Sequence, residues 1–176
     1  MKYKDELIRG MEWLAEKDDT VVIGQSVKYS GNAIYNTVKT LPMKKIMEVP
    51  VFEELQMGMS TGMALEGLVP ISCFPRFDFL LRCVDSLVNH LDKMQVMTDG
   101  NFKPKVIIRT SIGSSKPLNG GVQSTNDYTE PFRQMLTEVD VVLLNEPKEI
   151  FPAFQRAYER EGSSLIVEWG DYYNDK

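Results

Sequence analysis

The chain has one histidine and two cysteines among its 176 residues, which leaves few side chains for transition-metal or thiol chemistry. Cys73 and Cys83 have apolar neighbours and no C-x-x-C spacing, so we expect reduced core thiols rather than a disulfide or a zinc site. His90 falls within a predicted helix, which argues against a serine–histidine–acid triad. The sequence therefore predicts no metal site and no histidine-based nucleophile.

Long apolar runs and an excess of positive charge are also missing. No segment approaches the roughly 18 apolar residues of a membrane span, and no apolar signal-peptide run follows Met1. The net charge of -5 and the isoelectric point near 5.0 do not suit nucleic acid, because phosphate binding needs a basic face. We therefore expect no membrane or nucleic-acid partner, and a cytoplasmic protein.

Neither of the common glycine-rich phosphate loops occurs in the sequence. There is no G-x-G-x-x-G and no G-x-x-x-x-G-K-[ST], so the corresponding dinucleotide-binding and mononucleotide-binding classes are not supported.

Short runs rich in valine and isoleucine alternate with longer stretches of helical period. This alternation predicts an α/β fold, a doubly wound and mostly parallel six-stranded sheet with helices on both faces. Strands are predicted at residues 20–24, 45–49, 70–74, 104–110, 139–145 and 164–169. Helices are predicted at residues 3–16, 32–41, 53–66, 77–97, 128–136 and 148–161. We expect one domain spanning residues 1–176.

Function is expected at the carboxyl ends of the strands, where open sheets of this kind bind ligands. The segments concerned follow Val49, Phe74 and Arg109. Residues 111–127 are dense in Gly, Ser, Asn and Thr and predict a long loop after the fourth strand. Loops of this length inside a compact domain are often functional.

The stretch 48–71 joins a strand end, a proline, an acid and several glycines. Glu53 begins the predicted helix, and apolar neighbours are expected to shield its carboxyl group from water: Val51, Phe52 and Leu55. Gly58 and Gly62 fall on one helical face, where small residues allow sheet packing or a helix contact between subunits.

These residues resemble the beta subunits of thiamine-diphosphate-dependent 2-oxoacid dehydrogenases, such as pyruvate dehydrogenase, and more broadly the transketolase pyrimidine-binding domain. The family spacing of proline, glutamate and glycine is present as Pro50, Glu53 and Gly58, followed by Gly62. The resemblance covers nearly the whole chain. It continues without a gap through Phe74, Phe77, Phe79, Asp85, Asn89, Lys93, Met97, Gly100 and Arg109.

The resemblance implies that Glu53 is the catalytic acid. In the family this glutamate hydrogen-bonds a ring nitrogen of the cofactor's aminopyrimidine and promotes the imino tautomer, whose exocyclic nitrogen deprotonates the thiazolium carbon. The cofactor-binding residues implied beside Glu53 are Phe79, Phe77, Gln25 and Pro75, with Phe79 the preferred aromatic contact.

Two positions depart from the family pattern. Gln25 stands where the family usually has an acid close to the cofactor. Thr125, our candidate in the substrate loop, stands where the dehydrogenases carry a histidine near the substrate. The resemblance therefore implies that Gln25 lies near the cofactor and that Thr125 lies near the substrate, each with a side chain that differs from the one usual in the family.

The resemblance further implies a split enzyme. The diphosphate-binding domain, which holds magnesium, and the transketolase-type C-terminal domain are expected outside this chain. We expect an alpha-type partner carrying G-D-G and N-N motifs, an alpha2–beta2 assembly, and tight cofactor binding only with that partner. The implied reaction is decarboxylation or aldehyde or ketol transfer on a 2-oxo acid or ketose. The alternative is a non-catalytic binding or regulatory relative that keeps the fold and the interface.

Overall fold

The protein folds around one parallel sheet of six strands. A computed structural model describes residues 1–116 and 119–175. Its strands lie side by side in the order β2-β1-β3-β4-β6-β5, and every neighbouring pair is parallel. Their bounds are β1 Thr20–Gly24, β2 Ile46–Glu48, β3 Val69–Phe74, β4 Ile107–Ile112, β5 Asp140–Leu143 and β6 Ser164–Trp169. The predicted α/β fold is confirmed.

In the part of the chain that the structure describes, eight α-helices connect and cover the strands. They are α1 Tyr3–Ala15, α2 Tyr35–Val38, α3 Glu53–Leu65, α4 Phe77–Leu80, α5 Met94–Met97, α6 Thr129–Met135, α7 Pro147–Glu159 and α8 Tyr172–Asp175. Short 3-10 helices occupy Met43–Lys45 and Leu81–Cys83, and a π-helical segment occupies Ser86–Leu91. Within residues 1–116 and 119–175, no helix is long and apolar enough to cross a membrane.

Two hydrophobic clusters, one on each face of the sheet, form the core. On one face, α1 and α7 contribute the buried side chains of Leu7, Met11 and Phe154. On the other, Met57 of α3 and Phe132 of α6 pack with the residues that follow β3. The central strands β3 and β4 are buried along their whole length, which explains why their sequences show continuous apolar runs rather than alternation.

The predicted helix 77–97 is wrong as a single regular helix. It is divided among α4, a 3-10 turn, the π-helical segment and α5. The wide turn ends at Asp92, whose backbone N–H donates to the Leu87 carbonyl, 2.9 Å away. The buried Asp92 carboxylate in turn accepts backbone N–H groups of Glu138 and Val139, at 2.8 and 3.0 Å. This tertiary contact, absent from the helical period, favours the irregular geometry.

Other elements differ from their predicted bounds at the ends. Helix 32–41 is reduced to α2, and in the turn before it the Asn32 side chain accepts the backbone N–H of Tyr35 at 2.9 Å. Strand 104–110 begins later and extends to Ile112, which shortens the predicted loop 111–127 by two residues. Pro117 and Leu118, within that predicted loop, lie outside the described residues.

A buried ion pair joins β4 to β6. Arg109 Nε lies 2.6 Å from Glu168 Oε1, and Arg109 Nη2 lies 2.9 Å from Glu168 Oε2. The guanidinium also donates to the Thr37 hydroxyl of α2, and the Tyr173 hydroxyl of α8 donates to Glu168. Burial lowers the pKa of Arg109, but the Glu168 carboxylate together with the other groups around the guanidinium raises it by more, so the net pKa lies above its ordinary value and Arg109 stays charged.

We expect Arg109→Met to destabilise the protein by about 3–5 kcal/mol, because it leaves the buried carboxylate of Glu168 without a counter-charge. The double variant Arg109→Met, Glu168→Leu should recover most of that loss, since an apolar pair needs no counter-charge. Urea unfolding of the three proteins measures both effects. If Arg109→Met were as stable as wild type, or if the double variant were no more stable than Arg109→Met, the buried carboxylate of Glu168 would not depend on Arg109 as its counter-charge.

Candidate functional site

The carboxyl ends of β1, β3 and β4 meet at one edge of the sheet. The register pairs Gly24 with Cys73 and Phe74 with Thr110, so the segments after these strands emerge side by side. They surround a cavity of about 500 Å³. Its lining comes from the segments that follow the three strands, from Ser111 within β4 and from Gly170 after β6: Gln25, Ser26, Gly31, Asn32, Ala33, Pro75, Arg76, Phe79, Ser111, Gly113, Ser114 and Gly170.

Glu53 lies beside this cavity, at the first residue of α3. Its side chain is buried, with 8% of the residue exposed, and Oε1 accepts a hydrogen bond from Gln25 Nε2 at 3.2 Å. Among the described residues, Oε2 accepts no hydrogen bond. Gln25 lines the cavity and Glu53 does not, so the amide connects the carboxylate to the cavity.

The three apolar neighbours expected to shield Glu53 are themselves exposed in this chain. Val51, Phe52 and Leu55 are 76%, 57% and 40% exposed. The helical period explains this outcome, because Glu53 shares its face with Gln56 and Met57, which turn toward the sheet. Glu53 is thus buried as expected, but on the sheet-facing side of α3, and the three apolar side chains next to it are exposed.

Glu48, which sequence reasoning missed, holds the loop that carries Gln25. Its carboxylate, at the end of β2, accepts three successive backbone N–H groups: those of Ser26, Val27 and Lys28. The last two lie at 2.9 and 2.7 Å. Charge-assisted bonds of this kind are among the stronger ones in proteins. They fix the loop in a turn where Ser26 has a positive φ of 53°.

A second polar cluster fixes α3 against β3 behind Glu53. Gln56 Nε2 donates to Ser72 Oγ and to the Cys73 carbonyl, at 3.0 and 3.1 Å. The Ser60 hydroxyl lies 3.0 Å from Ser72 Oγ. All of these groups are buried, so their hydrogen bonds position the first turn of α3 and with it Glu53.

The two predicted aromatic contacts occupy different environments. Phe79 is half-buried and lines the cavity together with Pro75. Phe77 is fully buried, stacks on Phe132 with ring centroids 5.2 Å apart, and meets Tyr128 edge to face. The structure thus places Phe79, Pro75 and Gln25 around one cavity, and it places Phe77 in the core.

Thr125 is half-buried in the long loop and is not among the residues lining the cavity. Its hydroxyl donates to the Gly121 carbonyl at 3.2 Å. The first part of the loop is anchored by Asp171, whose carboxylate accepts the backbone N–H groups of Ser115 and Lys116. The substrate role of Thr125 stays a prediction.

The remaining groups that sequence analysis considered for chemistry lie elsewhere or are inert. Both cysteines are buried and free. Burial raises the pKa of Cys73 to about 11, and burial followed by the carboxylates of Glu54 and Glu53 raises the pKa of Cys83 to about 12. Both are therefore neutral thiols near pH 7. His90 is exposed and lies 3.4 Å from Asp85, outside the cavity lining.

Comparison with known proteins gives the same assignment as the motifs. The family described as "Transketolase, pyrimidine binding domain" matches residues 9–169. The chain is 30% identical over 123 residues to the mitochondrial pyruvate dehydrogenase E1 component subunit beta of Saccharomyces cerevisiae, covering 67% of this chain and 32% of the relative. It is 26% identical over 166 residues to the corresponding subunit of Gracilaria tenuistipitata, covering 92% of this chain and 50% of the relative.

A third relative, the 2-oxoisovalerate dehydrogenase subunit beta of Pseudomonas aeruginosa, is 25% identical over 172 residues, which cover 93% of this chain and 47% of the relative. The chain thus spans between 32% and 50% of the length of these three relatives. Some relatives are mitochondrial or chloroplastic, and the cytoplasmic location of this protein stays a prediction.

A solved structure titled "Split gene transketolase, inactive beta4 tetramer" has the same fold. It superposes with a TM-score of 0.65 at 14% identity, over 96% of this chain and 51% of that chain. The resemblance found in the sequence is confirmed by the family match, which extends from α1 to the last residue of β6. The chain belongs to the transketolase pyrimidine-binding domain family.

Proposed function

We propose that this chain is the pyrimidine-binding, beta-type subunit of a split thiamine-diphosphate enzyme. It acts with a partner on a 2-oxo acid or ketose, by decarboxylation or by aldehyde or ketol transfer. The observation that carries the proposal is the buried Glu53 carboxylate beside the cavity, with one oxygen held by Gln25 and the other free of partners in the described chain. When bound, the cofactor supplies a carbon nucleophile that attacks the substrate carbonyl.

The residues present fit the aminopyrimidine part of that cofactor. Phe79 offers a half-buried aromatic surface in the cavity lining, and Pro75 adds an apolar contact. Gln25 adds an amide that can donate or accept. A flat, protonatable heterocycle needs an aromatic ring and an apolar wall to pack against and an acid to exchange a proton with, and these residues provide all three.

Glu53 would hold and exchange a proton with the ring nitrogen through Oε2. Gln25 restricts the rotation of the carboxyl group by donating to Oε1, so that the other oxygen is available for the ring. Burial limits the access of competing water to the carboxyl group. A positioned acid of this kind typically contributes a rate factor of about 100 to 10,000.

The diphosphate, its magnesium ion and the C-terminal domain would belong to other polypeptide chains or segments. Among the described residues lining the cavity, the one formal charge is the positive charge of Arg76, which repels a divalent cation. The apolar surface of Val51, Phe52 and Leu55 beside Glu53 suits a protein partner. Gly58 and Gly62 on the same helix have no atom within 4 Å of a Cβ position, which leaves room for a closely packed helix. An alpha2–beta2 assembly is the arrangement we propose.

Glu53→Gln should reduce turnover of the enzyme reconstituted with its partner by at least ~100-fold, because the amide keeps the shape of the side chain but removes the exchangeable proton. Steady-state kinetics measures the effect. Glu54→Gln is the matched control, since Glu54 accepts a hydrogen bond from the Ser86 hydroxyl instead of facing Gln25. Equal and small effects of both substitutions would favour the alternative, a non-catalytic binding or regulatory relative.

Phe79→Ala should weaken cofactor binding to the reconstituted complex by about 10-fold, the order expected for one lost ring contact. Phe77→Ala should instead lower the free energy of unfolding by about 3–5 kcal/mol, because it empties a core position. Cofactor titration and thermal unfolding of both variants test the two roles. Unchanged affinity after Phe79→Ala would remove Phe79 from the site.

Gln25→Glu, which restores the acid usual in the family, should make stability depend on pH. A second carboxylate about 3.2 Å from Glu53 would make the folded protein bind one proton more tightly than the unfolded chain. The variant should therefore match wild type at low pH and lose stability as pH rises above about 4.3, reaching a loss of about 1–3 kcal/mol near pH 7. Urea unfolding across pH measures the difference, and Gln25→Met, which adds no charge, should show no such slope. A pH-independent difference for Gln25→Glu would contradict the Gln25–Glu53 contact.

A further inference from the structure

Among the described residues that line the cavity, one side chain is charged, that of Arg76. Arg76 follows β3 directly after Pro75 and lines the cavity. It is half-buried, and within the described residues its guanidinium makes no hydrogen bond and no ion pair. A guanidinium has five N–H donors in a fixed planar arrangement, and leaving them unpaired while partly withdrawn from water is unfavourable.

The described part of the long loop contacts the guanidinium by packing, at Gly120. Arg76 lies against Gly120, where a Cβ atom would overlap Nη1 and come within 3.1 Å of Cζ. Glycine at position 120 therefore leaves the space that the guanidinium occupies. Gly113 has the same relation to the backbone of Ser124, so the loop passes close to the end of β4. The cation is thus placed by its surroundings while its donors remain available.

An anion is the ligand that such a group selects. Arginine binds carboxylate and phosphate oxygens through two parallel N–H···O bonds. The other side chains of the described lining are neutral, so no carboxylate of the lining competes for Arg76. Because Phe79 and Gln25 line the same cavity, an anion on Arg76 would belong to a molecule that also reaches the pyrimidine site.

The chemistry indicates which anionic group that is. Decarboxylation removes the charge of the carboxylate next to the carbonyl, so a cation on that carboxylate would stabilise the substrate more than the transition state and slow the reaction. A cation is compatible with turnover when it binds an anionic group that keeps its charge throughout the reaction. This requirement separates Arg76 from the reacting end of the substrate.

We propose that Arg76 is a specificity-determining residue that binds a second anionic group of the substrate, remote from the reacting carbonyl. The proposal rests on the function proposed above. The group is a terminal phosphate, as on a phosphorylated ketose, or a second carboxylate, as on a dicarboxylic 2-oxo acid. A substrate with a neutral tail would leave Arg76 without a partner and would be used less efficiently.

Kinetics on the complex with the partner chain tests the assignment. Paired substrates that differ only in the tail, a phosphorylated against an unphosphorylated ketose and a dicarboxylic against a monocarboxylic 2-oxo acid, also distinguish the two anions. Arg76→Gln should raise KM for the anionic-tail substrate by roughly 10- to 100-fold and should change KM for the neutral-tail substrate far less. Arg76→Lys should recover part of the loss. Arg82→Gln, a change at an exposed arginine outside the cavity lining, should match wild type. The proposal would be overturned if Arg76→Gln changed KM equally for the anionic-tail and neutral-tail substrates, or changed neither.

A binding measurement keeps this inference separate from the proposed function. In the 176-residue chain, titration with inorganic phosphate or malonate should shift the side-chain N–H resonance of Arg76 in NMR spectra, and the Arg82 resonance should stay unchanged. If the wild-type complex turns over none of the substrates, the proposed function fails, whereas this titration still decides whether Arg76 binds anions. An Arg76 resonance that responds to neither anion would overturn the proposal.

Discussion

The ion pair of Arg109 and Glu168 is the constraint around which the sheet is organised. Two opposite charges are fully buried between adjacent central strands, so each must be satisfied by the other and by nearby hydroxyl groups. Thr37 of α2 and Tyr173 of α8 supply those hydroxyls. Burial, followed by the Glu168 carboxylate, raises the pKa of Tyr173, so this hydroxyl stays protonated and can donate. Four elements from distant parts of the sequence are thereby fixed near the carboxyl ends of β4 and β6.

The site occupies the same edge and is built outward from the sheet by polar contacts. Glu48 fixes the loop after β1, and that loop presents Gln25 to Glu53. Gln56 fixes the other side by joining α3 to β3. Glu53 is thus positioned from two strands at once, whereas the apolar residues beside it remain open on this chain. A buried acid next to an exposed apolar surface is the arrangement expected where a second polypeptide completes the site.

Much of this arrangement could be predicted from local sequence. The buried strands appear as valine- and isoleucine-rich runs, and Pro50 followed by Glu53 marks the start of α3. Because parallel strands end at a common edge, the segments after them could be assigned to the site. The family resemblance then pointed to Glu53 and Phe79.

The contacts between distant residues could not be predicted in this way. Glu48 acts through three backbone N–H groups that lie 20 to 22 positions away in the sequence. Every residue except proline has such a group, so the amino-acid types at these positions do not reveal the contact. The wide turn that ends at Asp92 is favoured by the contact of Asp92 with the segment before β5. The exposure of Val51 and Phe52 follows from which side of α3 faces the sheet, and apolar identity alone does not reveal it.

The central claim, that Glu53 activates the cofactor, is tested most directly by exchange of the thiazolium carbon-bound proton for deuterium. The measurement uses the complex with its partner and no substrate. The account predicts that Glu53→Gln slows this exchange by about 100-fold or more while the cofactor stays bound. Exchange at the wild-type rate with the cofactor bound would contradict it.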